Sequence, residues 1–160
     1  MYQTKTGIDQ KNRKQINNLL QKRLADSIDL SAQIKNAHWN VKGPSFIALH
    51  ELFDKVWEQS LEYSDLIAER IAQFGGEVDG TIQTAAKDTN LDKYPLNSRD
   101  GYHHVEALAH TLATYGELVR KAIDQCNDLK DAGTTDIFTE ITRSVDKNLW
   151  FVEAHLQAAK

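Results

Sequence analysis

The stretch HWNVKGPSFIALHELFD, residues 38–54, joins two segments of helical periodicity and decides how the chain is arranged. Gly43-Pro44 interrupts that periodicity, because glycine suits the bend after a helix and proline suits the first turn of the next one. Beyond the interruption, His50 and Asp54 lie one helical turn apart. The stretch therefore predicts a helical hairpin whose second arm carries a pair of potential metal ligands.

Four segments along the chain carry apolar residues at helical spacing. They predict long helices over about residues 9–39, 44–74, 101–128 and 134–158, separated by short joins except between residues 75 and 100. That long join is expected to hold about one helical turn near residues 81–86. Two hairpins and one long crossover favour an all-α, ferritin-like four-helix bundle whose crossover carries a short helix. A cytokine-type bundle, with two long crossovers, fits less well.

Composition indicates one soluble globular domain. The 160 residues are 41% apolar and 26% charged, with two prolines, and we expect a single domain over residues 1–160 with a flexible tail at residues 1–8. No apolar run approaches the roughly 20 residues of a membrane span, and MYQTKTGIDQ lacks the apolar core of a signal peptide, which predicts a cytoplasmic location.

The lone Cys126 falls on an apolar helix face, where we interpret it as a buried hydrophobic residue.

The charge of the chain argues against a general attraction for nucleic acid, since the net charge is −4. One short basic stretch near the N-terminus holds Lys5, Lys11, Arg13 and Lys14, interrupted by Asp9. We interpret it as a solvated, partly frayed terminus, which leaves contact with DNA open.

The second predicted helix carries two pairs of candidate ligands, His50 with Asp54 and Asp65 with Glu69. At about 100° per residue all four side chains fall on one stripe, and the apolar residues of the helix fall on another face. The candidate stripe therefore faces away from the core. Intrabundle di-iron sites use Glu-x-x-His motifs, and this sequence contains none.

The two pairs cannot easily share an ion within one chain, because their centres lie about 22 Å apart along a helix. Two copies of the helix that meet antiparallel about a two-fold axis would place the first pair of one chain opposite the second pair of the other. Trp57 and Leu61 would then fill the seam, and His38 could close over His50 from the same chain. Either pair alone is more often a solvated surface feature, but the joint pattern predicts a shared metal site.

Mixed imidazole and carboxylate ligands suit iron, with zinc as the main competitor. The segment HELFD resembles the zinc protease signature His-Glu-x-x-His, but Asp54 stands where the second histidine is required. His103, His104 and His110 suggest another site, yet the first two point about 100° apart on a helix, and we interpret them as surface residues.

The two candidate pairs lie in motifs of a known family. HWNVKGPSFIALHELFD followed by SDLIAERIAQFGG, residues 64–76, resembles the two signatures of the Dps proteins, the ferritin-like DNA-binding proteins from starved cells. The helical pattern extends the resemblance over nearly the whole chain. Glu77-Val78 departs from the small residue and proline that the family commonly has there, which affects only the crossover.

The resemblance implies a dodecameric hollow shell of 23 symmetry with ferroxidase sites shared across two-fold interfaces. In such a site His38, His50 and Asp54 come from one subunit, and Asp65 and Glu69 from its partner. Iron(II) bound there is oxidised, preferentially by hydrogen peroxide, and the ferric product is stored as a mineral. Removing iron and peroxide together protects the cell and its DNA.

The resemblance also implies negatively lined three-fold pores near the start of the last helix. Asp131, Asp136 and Glu140 are the candidates, although carboxylates at a helix N-terminus also complement the helix dipole. Many relatives bind DNA through lysine-rich tails, whereas residues 158–160 of this chain read Ala-Ala-Lys. We therefore expect weak or absent DNA binding.

Taken with the metal-ligand pattern, the resemblance implies an iron oxidase and iron-storage shell of a bacterial cytoplasm that uses hydrogen peroxide or oxygen. A non-enzymatic shell that binds and compacts DNA, associated with the nucleoid, is the main alternative. A helical adhesin or immune-modulating shell would share the same fold.

Overall fold

In the part of the chain that the structure describes, four long helices and one short helix form a bundle with a single long crossover, as the sequence predicts. The computed structural model describes residues 1–98 and 100–157. Helices α1 and α2 form one antiparallel pair, α4 and α5 form the other, and contacts of α1 with α4 and of α2 with α5 close the bundle. The short α3 lies within the crossover and packs on α1. The helix bounds are α1 Gln10–Asn40, α2 Phe46–Gln73, α3 Ile82–Asp88, α4 Gly101–Asp128 and α5 Ala132–Glu153.

Side-chain caps fix where the two hairpins begin. Asp9 accepts a hydrogen bond from the backbone N–H of Asn12 at 2.9 Å, and Asp100 accepts one from the backbone N–H of His103 at 3.1 Å. Each bond satisfies one of the N–H groups that a helix start leaves without a partner. Helices α1 and α4 therefore start at defined residues.

Two glycines in left-handed conformations produce the reversals around α2. Gly43 has a φ of 103° between α1 and α2, and Gly75 has a φ of 73° after α2. The Gly76 N–H then donates to the Ile71 carbonyl at 2.9 Å, which completes a Schellman turn. A side chain at position 75 would also collide with the Tyr2 carbonyl, because the N-terminal segment packs against this turn.

The core lies between the four long helices and contains the residues that the apolar stripes predict. Large side chains such as Phe53, Tyr115 and Phe138 are fully buried. Cys126 is buried as expected, and its burial raises the pKa of the thiol to about 12. The thiol is therefore protonated at neutral pH.

Two predictions about α5 and α4 are wrong. Helix α5 starts at Ala132 and ends at Glu153 instead of spanning 134–158, and residue 158 lies outside the described residues. At the end of α5 the backbone hydrogen bonds change from a spacing of four residues to a spacing of three. The His155 N–H, for example, donates to the Val152 carbonyl at 3.1 Å, so the α-helix does not continue. His104 is only 2% exposed, since the crossover covers it and the Tyr94 hydroxyl lies 2.6 Å from its Nδ1.

Within residues 1–98 and 100–157, no helix is both long enough and apolar enough to cross a membrane.

Candidate metal centre

The end of α1 and the first half of α2 bring three of the predicted ligands together. His38 is 8% exposed, and the imidazole rings of His38 and His50 stack with their centroids 3.7 Å apart and their planes 23° from parallel. Asp54 lies one turn beyond His50, with its carboxylate Oδ1 3.8 Å from the Nδ1 of His38. The hairpin at Gly43-Pro44 makes this contact, because it returns α2 alongside the end of α1.

Hydrogen bonds fix the tautomer of both imidazoles. The Nδ1 of His38 lies 2.9 Å from the His50 carbonyl, and the Nδ1 of His50 lies 3.0 Å from the His38 carbonyl. A carbonyl oxygen only accepts, so each Nδ1 carries the proton and donates it. In the neutral form of the ring, each Nε2 therefore keeps its lone pair. Histidines that bind metals commonly donate their other ring N–H to a backbone carbonyl in this way.

Asp54 is held by a lysine that the sequence analysis missed. The Lys35 Nζ forms an ion pair with the Asp54 carboxylate and lies 4.0 Å from the centre of the Trp57 ring. The hydrogen bond from Lys35, with its positive charge, holds the pKa of Asp54 below its usual value. Lys35 precedes His38 by three residues on α1, so helical spacing alone places it on the same face.

The second predicted pair lies elsewhere on the chain. Asp65 and Glu69 are exposed on α2, about 22 Å along the helix from the first pair. In the part of the chain that the structure describes, no three histidine, cysteine, aspartate or glutamate side chains are placed to hold a metal ion. The structure thus gathers His38, His50 and Asp54, while the meeting with Asp65 and Glu69 remains a prediction.

The apolar residues between the two pairs differ in exposure. Leu61 is 43% exposed on the outward face of α2, as predicted. Trp57 is not a freely exposed side chain, since it is half-buried beneath the ammonium group of Lys35 and packs against the core. In an interface between two chains, Leu61 would therefore contact the partner more than Trp57 would.

Asp131 has a structural role that sequence reasoning did not foresee. Its carboxylate is 2% exposed, pairs with Arg70 Nη2 at 2.9 Å and accepts a hydrogen bond from the Thr134 hydroxyl. Both oxygens are occupied inside the fold, which argues against a role for Asp131 in lining a pore. Asp136 and Glu140 are exposed on α5 and remain the pore predictions.

The basic N-terminal stretch is less exposed to solvent than expected. Arg13 is buried, and its Nη1 donates to the Phe74 carbonyl at 3.4 Å, so the interpretation of Arg13 as a solvated residue is wrong. Lys5, Lys11 and Lys14 are exposed. Three lysines are therefore available on this surface for contact with a polyanion.

The bundle of two antiparallel helix pairs joined by one long crossover defines a ferritin-like protein. In agreement, the model of the ferritin-like domain family matches residues 17–160. The DNA protection during starvation protein of Agrobacterium fabrum is 40% identical over 156 residues, covering 98% of this chain and 96% of the relative.

Two further relatives bear on the family. The tetragonal form of Mycobacterium smegmatis Dps superposes with a TM-score of 0.93 at 35% identity, covering 98% of this chain and 96% of that one. The fine tangled pili major subunit of Haemophilus ducreyi is 32% identical over 137 residues, covering 86% of this chain and 72% of the relative. The chain belongs to the Dps family of ferritin-like proteins.

Proposed function

We propose that this protein is a ferroxidase and iron-storage mini-ferritin that oxidises iron(II), preferentially with hydrogen peroxide, and keeps the ferric product inside a dodecameric shell. The observation that carries the proposal is the reciprocal bonding of His38 and His50. Two imidazoles held by backbone carbonyls, with Asp54 beside them, present nitrogen and oxygen ligands that suit iron, with zinc as a competitor.

In this proposal a two-fold partner completes the site. One chain provides His38, His50 and Asp54, and the partner provides the carboxylates of Asp65 and Glu69. The exposure of both carboxylates and of Leu61 between the pairs supports such an interface, because an exposed leucine on a polar helix face gains from burial against a second copy. Each dimer would then contain two identical sites.

The chemistry of the proposed reaction balances as follows. Two iron(II) ions each lose one electron, hydrogen peroxide takes both electrons, its O–O bond breaks, and two protons complete two molecules of water. The carboxylates of Asp54, Asp65 and Glu69 would offset the charge that grows as iron(III) forms. Hydrolysis of the iron(III) releases protons and yields the mineral. Iron(II) and hydrogen peroxide, which together would form hydroxyl radicals, are both consumed. We place this reaction in a bacterial cytoplasm.

The ion pair between Lys35 and Asp54 bears on how iron enters. An arriving iron(II) ion would displace the Lys35 Nζ from the carboxylate, since one oxygen cannot serve both cations at full strength. For the route into the shell, we propose pores lined by Asp136 and Glu140, which are exposed near the start of α5.

The direct test is rapid mixing of metal-free protein with iron(II) and hydrogen peroxide while ferric absorbance is followed. The His50→Ala/Asp54→Ala variant should lose the fast phase, because it removes one imidazole and one carboxylate from the site. A His155→Ala variant is the matched control, since His155 is exposed just beyond the end of α5 and its imidazole bonds to the Phe151 carbonyl. A fast phase that survives in the double variant would contradict the site assignment.

A DNA-compacting shell without enzymatic activity remains the second candidate, because the Agrobacterium fabrum relative is named a DNA protection protein. The three exposed N-terminal lysines could contact phosphates, although the net charge of −4 makes us expect weak binding. A mobility shift at low salt that disappears after deletion of residues 1–14 would favour this role. A full fast phase of iron oxidation in the same deletion variant would show that the two roles are separate.

A further inference from the structure

A groove between α1 and α4 is lined by polar side chains that the proposed ferroxidase reaction does not use. Its volume of about 540 Å³ is typical of sites for small ligands. One stripe of side chains on each helix faces the groove, at spacings of three, four and seven residues. The exposed members of the two stripes are Gln15, Asn18 and Lys22 of α1, and Lys121, Gln125 and Asp128 of α4.

Two hydrogen bonds show how positions on the two helices correspond. The Arg23 Nη1 donates to the Leu118 carbonyl at 3.1 Å, and the Asn12 Nδ2 donates to the Leu129 carbonyl at 3.3 Å. Moving eleven residues back along α1 thus corresponds to moving eleven residues forward along the other chain segment, so α1 and α4 run antiparallel. Residues just before Arg23 therefore lie opposite residues just after Leu118.

One end of the groove is positively charged. Lys22 and Lys121 lie there on opposite walls, and within residues 1–98 and 100–157 neither lysine forms an ion pair. Arg23 lines the same end, but it is 6% exposed and its charge is offset by Asp26, 2.8 Å away. The two lysines therefore carry the charge that is free to attract an anion, in a chain whose net charge is −4.

The other end of the groove is negatively charged. Asp128 lies about 10 Å further along α4 than Lys121 and is the last residue of that helix, where the helix dipole is also negative. A carboxylate repels a phosphate but accepts hydrogen bonds from hydroxyl groups. The groove therefore favours a ligand with one anionic end and one hydroxyl-bearing end over a continuous phosphate backbone.

We propose that the groove between α1 and α4 binds one phosphorylated small molecule, a sugar phosphate or a nucleotide. Lys22 and Lys121 hold the phosphate through charge-assisted hydrogen bonds, and Asp128 accepts hydrogen bonds from hydroxyl groups at the other end. Between them, the side-chain amides of Asn18 and Gln125 offer both donors and acceptors. This site goes beyond the proposed ferroxidase function and does not depend on it.

Isothermal titration calorimetry of the full-length protein with adenosine monophosphate and with ribose 5-phosphate tests the proposal. Lys22→Met and Lys121→Met should each weaken the binding about tenfold, because each removes a charge-assisted hydrogen bond to the phosphate. Lys55→Met is the matched control, since it removes the same charge from an exposed position on α2 and should keep the wild-type affinity. The ligand that binds more tightly identifies the nucleotide or the sugar phosphate as the preferred class.

Asp128→Ala tests the orientation of the ligand. It should weaken the binding of both ligands about three- to tenfold, because their hydroxyl groups lose an acceptor. The affinity for inorganic phosphate, which does not reach Asp128, should stay the same or rise.

Three results would overturn the proposal. The first is that neither ligand binds, even if a single-stranded oligonucleotide does so through Lys22 and Lys121, which would make the groove a nucleic-acid surface. The second is an equal loss of affinity in Lys55→Met, Lys22→Met and Lys121→Met, which would indicate a general charge effect. The third is tighter binding of both ligands by Asp128→Ala, which would show that this carboxylate only repels them.

Discussion

His38 and His50 each donate a hydrogen bond from Nδ1 to the backbone carbonyl of the other residue, at 2.9 and 3.0 Å. This exchange ties the last turn of α1 to the second turn of α2 and directs the Nε2 atom of each ring away from the backbone bond, toward a ligand. Because the bonds run through backbone carbonyls, the arrangement depends on the hairpin at Gly43-Pro44 and not on other side chains.

Lys35→Met should strengthen metal binding at the proposed ferroxidase site. The substitution removes the cation that competes for the Asp54 carboxylate but keeps an apolar stem against Trp57. Since a half-exposed ion pair is weak, we expect the dissociation constant for iron(II), measured without oxygen by titration calorimetry, to fall about two- to fivefold. A weaker affinity would mean that Lys35 supports the site instead of competing for it.

Asp131→Ala should destabilise the fold far more than Asp136→Ala. Loss of the Asp131 carboxylate leaves Arg70 and Thr134 without their buried acceptor, which costs about 3 kcal/mol of unfolding free energy in comparable buried pairs. Asp136 is exposed, so its replacement should change stability by less than about 0.5 kcal/mol. Denaturant titration of both variants measures the difference, and equal stabilities would refute the structural role of Asp131.

His104 should make the protein less stable in mild acid. Burial lowers the pKa of His104 in the folded protein, whereas the unfolded chain takes up a proton near the ordinary value of about 6.5. The unfolded state therefore binds more protons below that pH, and the free energy of unfolding falls by up to about 1.4 kcal/mol per pH unit.

His104→Gln tests this pH dependence, because glutamine does not titrate and can still bond to the Tyr94 hydroxyl. Its unfolding free energy should fall less between about pH 6.5 and 5 than that of the native chain. His155→Gln removes an exposed histidine instead and should follow the native profile. The same slope in all three proteins would show that other groups control the acid response.

Leu61→Glu should weaken assembly without unfolding the chain. Leu61 is 43% exposed in the isolated chain, and a glutamate there would place two like charges near the proposed two-fold axis. We expect a shift toward smaller species in analytical ultracentrifugation, with unchanged far-ultraviolet circular dichroism. An unchanged oligomer mass would place the interface elsewhere.

The fold could be predicted because its signals are local. Gly43-Pro44 and Gly75-Gly76 end helices, and apolar spacing identifies the face that each helix buries. The meeting of His38 with His50 also followed from the short hairpin. The residue pattern within one helix does not show which side chains of two different elements contact each other. The ion pair between Arg70 and Asp131 could therefore not be predicted from the sequence.

The remaining errors have related causes. Lys35 shares a helix face with His38, yet helical spacing does not fix the relative placement of α1 and α2 that brings it to Asp54. The burial of His104 cannot be predicted from the sequence, because the irregular crossover that places Tyr94 over it leaves no periodic signal.

The central claim is that two chains complete each iron site, and co-assembly of two inactive variants tests it most directly. His50→Ala/Asp54→Ala and Asp65→Ala/Glu69→Ala chains would be co-expressed with different tags, and mixed particles would be purified through both tags. If ligands are shared about a two-fold axis, half of the sites in each mixed dimer are intact, and random pairing restores about a quarter of the wild-type fast ferric phase. If the mixed particles show no more fast phase than either variant alone, each site belongs to a single chain and the account is wrong.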